Sequence, residues 1–384
     1  MEFEFHSPTR IIFGKGAILN IGKLSAECGK KAFVITGKSA HHADVIFDQL
    51  KNQNIPFSSF VVEGEPTVGL IESGIYKAKD LKCDFIIGIG GGSVLDAGKA
   101  IASMIMNEGE ITDYLEVIGK GISITKPSLP YIAIPTTAGT GTEVTRNAVL
   151  TVLDRKVKVS LRSLFLLPKV AVVDPQLTYE LPAEITARTG LDALTQLIEA
   201  FTSNRTNPIV DGICREGIQR ASRSLYRAYV NGYDETARED MSIASLFGGL
   251  ALANGKLGAV HGIAGPLGGM FPIPHGNACA CLLPHVFEIN IKALLDQNNS
   301  LESLNRYLEI SKILTGNNNA SVDDGIKWIK DLNQKMRIPQ LSKFGVREDD
   351  FPEIIEKSIK ASSMKGNPVQ LSSTDLFFVL KNAL

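Results

Sequence analysis

Two of the six histidines in the chain bracket the stretch His261-Gly-Ile-Ala-Gly-Pro-Leu-Gly-Gly-Met-Phe-Pro-Ile-Pro-His275. Its glycines and prolines fix the backbone sharply, which suits side chains that must converge on one point. Upstream, Gly190-Leu-Asp192-Ala-Leu-Thr-Gln196 opens a long amphipathic segment. One Asp and two His form a ligand set that zinc or ferrous iron accepts, with positions left for water or substrate. The plainer alternative makes Asp192 a helix-start residue and the two histidines satisfied core groups. Cys279-Ala-Cys281 has no second cysteine pair and reads as buried small hydrophobes rather than half a metal site. His285, after Pro284 on an expected helix, reads as structural.

A second cluster is rich in glycine. Phe85-Ile-Ile-Gly88-Ile-Gly90-Gly91-Gly92-Ser93-Val-Leu-Asp96-Ala-Gly-Lys99 reads as a strand, a glycine turn and a helix start. Glycines let backbone N–H groups approach a diphosphate, and the helix N-terminus adds the positive end of its dipole. Ser93 followed by Asp96 also fits a helix-capping pair. Consecutive glycines exceed what a strand-to-helix turn needs, so phosphate binding is favoured over a plain turn. Pro135-Thr136-Thr137-Ala138-Gly139-Thr140-Gly141-Thr142-Glu143 follows another expected strand. Its hydroxyls suit phosphate, ribose or a nicotinamide amide, and at the same carboxyl edge of a sheet a ligand role outweighs an ordinary Thr-rich turn. The usual dinucleotide fingerprint places its glycines after the first strand. Here they follow the third expected strand, and Gly37-Lys38-Ser39 follows the first. His41 and His42 are expected to open the next helix and to face solvent.

The elements that must position these residues follow from apolar periodicity. Short apolar runs at Ala32–Thr36, Phe57–Val62, Phe85–Ile89, Tyr131–Ile134 and Ala171–Val173 alternate with helical patterns at Asp44–Asn52, Glu72–Leu81 and Val94–Met106. Continuous apolar strands separated by helices predict a parallel sheet covered on both faces. Beyond Asp174-Pro175 the strand signal ends. Helices are expected at Ala183–Thr202, Pro208–Tyr229, Thr236–Ala253, Cys281–Leu295, Leu301–Leu314, Ser321–Gln334 and Asp349–Ser362. At 384 residues two domains are natural: an α/β nucleotide-binding domain over 1–180 and an all-helical metal and substrate domain over 181–384, with a cleft between them.

Composition narrows the partners. A net charge of -1 with interspersed signs offers no basic face for nucleic acid or anionic lipid. Five scattered cysteines suit a reduced cytoplasmic protein better than a disulfide framework. The opening Met1-Glu-Phe-Glu-Phe-His-Ser-Pro lacks the features of a signal peptide, and no apolar run is expected to reach the ~20 residues that span a bilayer.

Together the three motifs resemble the iron-containing (group III) alcohol dehydrogenase family, from Pro8-Thr-Arg-Ile-Ile-Phe-Gly14 to the helical carboxyl half. The resemblance implies a dehydroquinate synthase-like architecture, an α/β dinucleotide-binding domain followed by an all-α domain. It also implies an NAD(P)-linked interconversion of a small alcohol and its aldehyde or ketone, commonly by a homodimer. Carried onto this chain, Gly91, Gly92, Ser93 and Asp96 look like pyrophosphate and nicotinamide contacts. Thr136, Thr137 and Thr140 look like further cofactor contacts, with Lys158 and Leu177 as weaker ones. Asp192, His261 and His275 look like three of four ligands to a divalent iron or zinc ion.

Two positions depart from that pattern. The usual fourth ligand, a His one helical turn after the Asp, is Gln196 here. It shares a helix face with Asp192 but offers only a neutral carbonyl oxygen. A His usual four residues after His261 is Gly265, so the proton is expected to leave through water or ribose hydroxyls. Many NAD-preferring relatives have Asp where this chain has Gly37. With Gly37, Lys38 and Ser39 nothing repels a 2′-phosphate, so NADP(H) is expected, with NAD(H) possible.

The expected mechanism uses the ion as a Lewis acid on the substrate oxygen, with hydride passing to or from the nicotinamide. The alternatives are a metal-independent reductase of an acidic carbonyl compound, like the maleylacetate reductases, with Arg146 and Arg162 as candidate carboxylate binders; a polyol or glycerol dehydrogenase; or a nucleotide-binding protein without catalysis.

Overall fold

The computed structural model describes residues 2–39, 42–155, 157–297 and 301–384, so the expectation for His41 lies outside the described residues. The chain forms two compact units. One comprises Ser7–Thr137 and Gly141–Tyr179; the other gathers the segment ending at His6, Ala138–Thr140 and Glu180–Leu384.

In the first unit the chain runs through β1 (Arg10–Phe13), α1 (Ile21–Ala26), β2 (Ala32–Gly37), α2 (Ala43–Asn52), β3 (Phe57–Val62), α3 (Val68–Asp80), β4 (Phe85–Gly90), α4 (Gly92–Met104), β5 (Tyr131–Pro135), β6 (Asn147–Val152), β7 (Val157–Arg162) and β8 (Val170–Val173). Six of the strands make one sheet in the order β1-β8-β5-β4-β2-β3, all pairs parallel. Alternate side chains face opposite ways along a strand. Phe33, Ile35, Ile86, Tyr131 and Ala133 therefore enter one core, while Val34, Phe85, Ile87, Ile132 and Ile134 enter the other. Both faces are covered, which is why β4 and β5 are apolar and buried throughout.

Two additions revise the sequence reading. Arg10–Phe13 pairs with β8 as an edge strand, so the glycine turn follows the fourth strand and Gly37 ends the second. Asn147–Val152 and Val157–Arg162 form an antiparallel hairpin whose first strand is buried at alternate residues. The order reverses at the centre of the sheet: β2 leads outward to β3, whereas β4 leads the other way to β5. The crevice above the carboxyl ends of β2 and β4 is thus the topological switch point.

The second unit is helical: α5 (Ala183–Thr202), α6 (Pro208–Val230), α7 (Glu235–Gly255), α8 (Ala259–Met270), α9 (His275–Asp296), α10 (Leu301–Thr315), α11 (Val322–Lys335), α12 (Phe351–Lys360) and α13 (Ser373–Ala383). The sequence reading missed α8 and α13 and began α9 six residues late. Gly262, Gly265, Pro266 and the Gly268-Gly269 pair argue against a helix by propensity. Burial of Ala259, Val260, Ile263, Ala264 and Leu267 in the core overrides that preference. Helix α13 carries a legible start signal, since Ser372 and Asp375 form a reciprocal capping box. Contrary to expectation, α9 is long and apolar enough by length and composition to cross a membrane. Its apolar stretch is 78% buried, however, packed among α5, α8, α10, α11 and α13.

Candidate active site

At the switch point Thr36, Gly37, Lys38, Ser39, His42, Gly90, Gly91 and Thr136 line a cavity of about 230 Å³. The glycines there have work that other residues could not do. A Cβ on Gly90 would lie 2.6 Å from the Val94 side chain, so only glycine lets β4 pass this close to the first turn of α4. Gly91 is the N-cap of α4, in extended conformation and with no side-chain cap. The first N–H groups of a helix need partners, and a cap without a side chain leaves them to a ligand. Thr137 lies beside Gly91, its methyl 3.4 Å from where a Cβ would stand.

Ser93 is not a capping residue, because the helix already starts at Gly92. Asp96 does not pair with it. The Thr142 hydroxyl donates to one Asp96 oxygen, and the Val149 N–H donates to the other at 3.0 Å. Lys99, fully enclosed, donates to the hydroxyls of Thr142 and Thr145 at 2.7 and 2.8 Å and to the Asn147 carbonyl at 2.7 Å. Asp96 and Lys99 thus fasten the threonine loop and the β6–β7 hairpin to α4. Burial raises the Asp96 carboxyl above its usual range, pushes Lys99 down to about 8, and lifts the neighbouring Glu143 to about 7.

The other cofactor candidates make contacts of their own. Lys158, on β7, pairs with Glu65 at 3.0 Å, and Leu177 is buried in a sheet core. Lys38 is exposed at the cavity, 4.0 Å from Glu63. Arg162 pairs with Glu116 at 2.7 Å. Thr140 belongs to the helical unit, where its carbonyl faces Gln196 at 3.4 Å.

In the helical unit Asp192, Gln196 and Glu199 recur on one face of α5. The Glu199 carboxylate meets the start of α8, accepting from the Val260 N–H at 2.6 Å and from the His261 N–H at 3.4 Å. It also meets His261 Nδ1 at 2.6 Å. That approach needs Gly258, where a Cβ would stand 2.9 Å from the Glu199 oxygen. With Nδ1 bonded to a carboxylate, the free Nε2 of His261 points into the cluster, an arrangement that fixes the tautomer of ligating histidines. Asp192 Oδ1 lies 3.4 Å from His261 Nε2 and 3.7 Å from His275 Nε2. Sequence reasoning missed two members, Glu199 and Cys279. Glu199 was detectable as the next turn of the Asp192 face; Cys279 stands one turn after His275 on α9.

The ligand atoms of Asp192, His261, His275 and Cys279 all lie within 4.8 Å of one another. Asp192 Oδ1 is buried without a hydrogen-bond partner, which is costly unless a cation fills the space it faces. Charge follows the same logic. The charge on Cys279, then that on Asp192, pushes His275 up to about 9 against its burial. Burial would lower His261, but Cys279, Asp192 and Glu199 hold it well above the usual imidazole range. Burial would raise Asp192, but His275 and His261 keep its carboxyl below the ordinary value. The cluster attracts protons as a cation site does, and its donors fit a divalent transition metal.

An uncapped helix N-terminus beside a cavity at a parallel-sheet switch point and a buried Asp-His-His cluster are features that suit a nucleotide-linked, metal-assisted oxidoreductase. The sequence pattern of iron-containing alcohol dehydrogenases matches residues 8–175, and that of the C-terminal region of the Fe-containing alcohol dehydrogenase family matches 186–384. The chain is 34% identical to the NADPH-dependent butanol dehydrogenase of Clostridium saccharobutylicum, over 97% of this chain and 96% of that one. It is 32% identical to the NAD-dependent methanol dehydrogenase of Bacillus methanolicus, over 99% and 100%. A crystal structure of a 1,3-propanediol oxidoreductase superposes over the whole of both chains with a TM-score of 0.93 at 34% identity. The chain belongs to the iron-containing alcohol dehydrogenase family, and it is an NAD(P)-linked enzyme interconverting alcohols and carbonyl compounds.

Proposed function

We propose that Asp192, His261 and His275 hold a divalent metal ion and that the crevice around Gly37 and Gly91 holds NADP(H), for the oxidation of small primary alcohols and the reduction of their aldehydes. The observation that carries the metal assignment is the buried, unpartnered Asp192 Oδ1 facing two imidazole nitrogens. A bound ion there supplies Lewis acidity toward the substrate oxygen, and the nicotinamide supplies or takes the hydride. Glu199 keeps the His261 proton on Nδ1 and leaves Nε2 as a ligand. The helix-start N–H groups beyond Gly91 bind the pyrophosphate, and Gly92 and Ser93 carry the first of them. Thr136 and Thr137 border the same crevice as hydroxyl donors.

Asp96 acts through Thr142 as a positioning residue rather than as a direct contact. Nothing lies within 4 Å of a Cβ built on Gly265, so water there takes the place of the imidazole common in relatives as the proton's exit. The absence of an acidic residue at Gly37, with Lys38 and Ser39 beside it, supports NADP(H) over NAD(H). The two units serve as nucleotide and metal domains, divided near residue 180. The active form is a homodimer, and five free cysteines suit a reducing cytoplasm.

Elemental analysis of the purified protein, with NADPH oxidation by an aldehyde panel before and after chelation, tests this reading. Near-stoichiometric metal with chelator-sensitive turnover is expected, and His261→Ala should lose both. Metal-free protein with full turnover would overturn it.

A further inference from the structure

The position occupied by the usual fourth ligand is Gln196, and its environment makes it a poor ligand. Its amide nitrogen faces the Thr140 carbonyl at 3.4 Å and the outer oxygen of Asp192 at 3.5 Å. Its own oxygen, buried and unbonded, points toward Gly248, 3.0 Å from where a Cβ would stand. Turning the amide over would set that oxygen against the Thr140 carbonyl, acceptor against acceptor. Gln196 therefore holds Asp192 Oδ2 and leaves Oδ1 to face the cluster.

The fourth corner is filled from another helix. Cys279 lies one turn after His275 on α9, is fully buried, and its sulfur stands 3.6 Å from His275 Nε2 and 3.9 Å from His261 Nε2. Tetrahedral ligands with metal bonds of ~2.0–2.3 Å are about 3.3–3.8 Å apart. The 3.4 and 3.7 Å separations from Asp192 Oδ1 to the two histidines fall in that range, and the sulfur distances lie in it or just beyond. Cys281 is different: its thiol donates to the Pro339 carbonyl at 2.8 Å.

We propose that Cys279, in place of residue 196, supplies the fourth metal ligand, making an Asp-His-His-Cys centre selective for zinc over iron, with Gln196 as a positioning residue for Asp192. This rests on the reading that Asp192, His261 and His275 bind metal. On metal entry the protons held at His261 Nε2, His275 Nε2 and the Cys279 sulfur pass to solvent, and the sulfur binds as thiolate beside two neutral imidazoles. Two anionic and two neutral ligands then balance a divalent charge. A soft sulfur donor added to an N and O set favours zinc, which can expand to five-coordinate to take the substrate oxygen.

The test uses the full chain, stripped of metal by chelation and titrated with Co2+ alone. A sulfur-to-cobalt charge-transfer band in the near ultraviolet should grow to stoichiometric saturation. It should vanish in Cys279→Ala and persist in Gln196→Ala and Cys281→Ala. If Cys279→Ala is misfolded by circular dichroism, Cys279→Ser serves, since oxygen gives no such band. Zn2+ affinity should fall in Cys279→Ala by more than the roughly 10–100-fold expected for Gln196→Ala as an outer-shell partner. Stoichiometric Co2+ binding by the unmodified protein without the sulfur band would overturn the Cys279 assignment while leaving the metal reading intact. Unweakened zinc binding by Cys279→Ala would do the same. Failure to bind any divalent ion while turnover continues would instead overturn the metal reading itself. The metal carried by the protein as purified should be zinc; stoichiometric iron would overturn the selectivity.

Discussion

Glu199→Gln is the substitution that isolates how the helical unit prepares its imidazole ligand. The two carboxylate oxygens accept from different donors, Oε1 from the Val260 N–H at 2.6 Å and Oε2 from His261 Nδ1 at 2.6 Å. A glutamine has the same shape but can accept at only one of these places. With its NH2 turned to Val260, two donors face each other at hydrogen-bond distance. With its NH2 turned to His261, Nδ1 must accept, and the imidazole proton moves to Nε2, the nitrogen that faces Asp192 Oδ1 at 3.4 Å. The second arrangement must be undone before His261 can ligate, and the first, which leaves Nε2 free, sets two donors against each other at Val260. Outer-shell partners of this kind are worth roughly 10–100-fold in metal affinity, or about 1.4–2.8 kcal/mol at 1.4 kcal/mol per tenfold. The assay is competition between metal-stripped protein and a chromogenic chelator for Zn2+, with circular dichroism to verify folding. A folded Glu199→Gln protein that holds zinc as tightly as the parent would refute the tautomer argument.

Further outcomes follow from the nucleotide unit. A Cβ on Gly37 meets only Val94, at an ordinary 3.6 Å, so Gly37→Asp should fold normally. It should move the kcat/KM ratio toward NAD(H) by roughly tenfold or more through repulsion of a 2′-phosphate; unchanged NADP(H) selectivity would refute the placement of the adenosine ribose. Glu143, lifted by burial from 4.5 to about 7, keeps its proton in the folded chain after the unfolded chain has lost it. Its stabilisation is full below about 4.5 and disappears as pH rises through about 7, a loss on the order of 1–3 kcal/mol. Denaturant melts of Glu143→Gln from pH 4.5 to 7.5 should lack that decline, and an identical decline in the variant would assign it to other groups.

The sheet was legible because its strands are buried on both faces, so Phe85–Ile89 and Tyr131–Ile134 appear as unbroken apolar runs that periodicity detects. The elements that escaped lack that signature. Arg10–Phe13 is an edge strand with exposed Arg10 and Ile11, and Asn147–Val152 is covered on one side only. Helix α8 is the strongest case. Its local composition of glycine and proline opposes a helix, and the force that makes it one is long-range packing against the rest of the helical core. Ser93 and Asp96 show the converse error. A capping pattern present in the sequence goes unused because the helix starts at Gly92, one residue before Ser93, and Asp96 finds Thr142 and Val149 instead.

The metal cluster divides along the same line. Asp192, His261 and His275 could be picked out one at a time, since histidine is rare in the chain and each of the three stands in a distinctive setting. Their relation to Gln196 and Cys279 could not, because it depends on where two helices distant in sequence put side chains in space. On α5 the one-turn spacing from Asp192 to residue 196 offers a second ligand position, and the amide there turns its nitrogen toward Asp192. On α9 the same spacing from His275 reaches Cys279, which a sequence reading of Cys-Ala-Cys assigns to the core because no second cysteine pair accompanies it. The core assignment is correct for Cys281, bonded to the Pro339 carbonyl. Cys279 is buried in the same core, and it also faces His275 because α9 begins at His275, six residues before the periodicity suggested, which puts the two on one helical face. A helix boundary, the least legible feature of a sequence, therefore decides which side chains the cluster brings together.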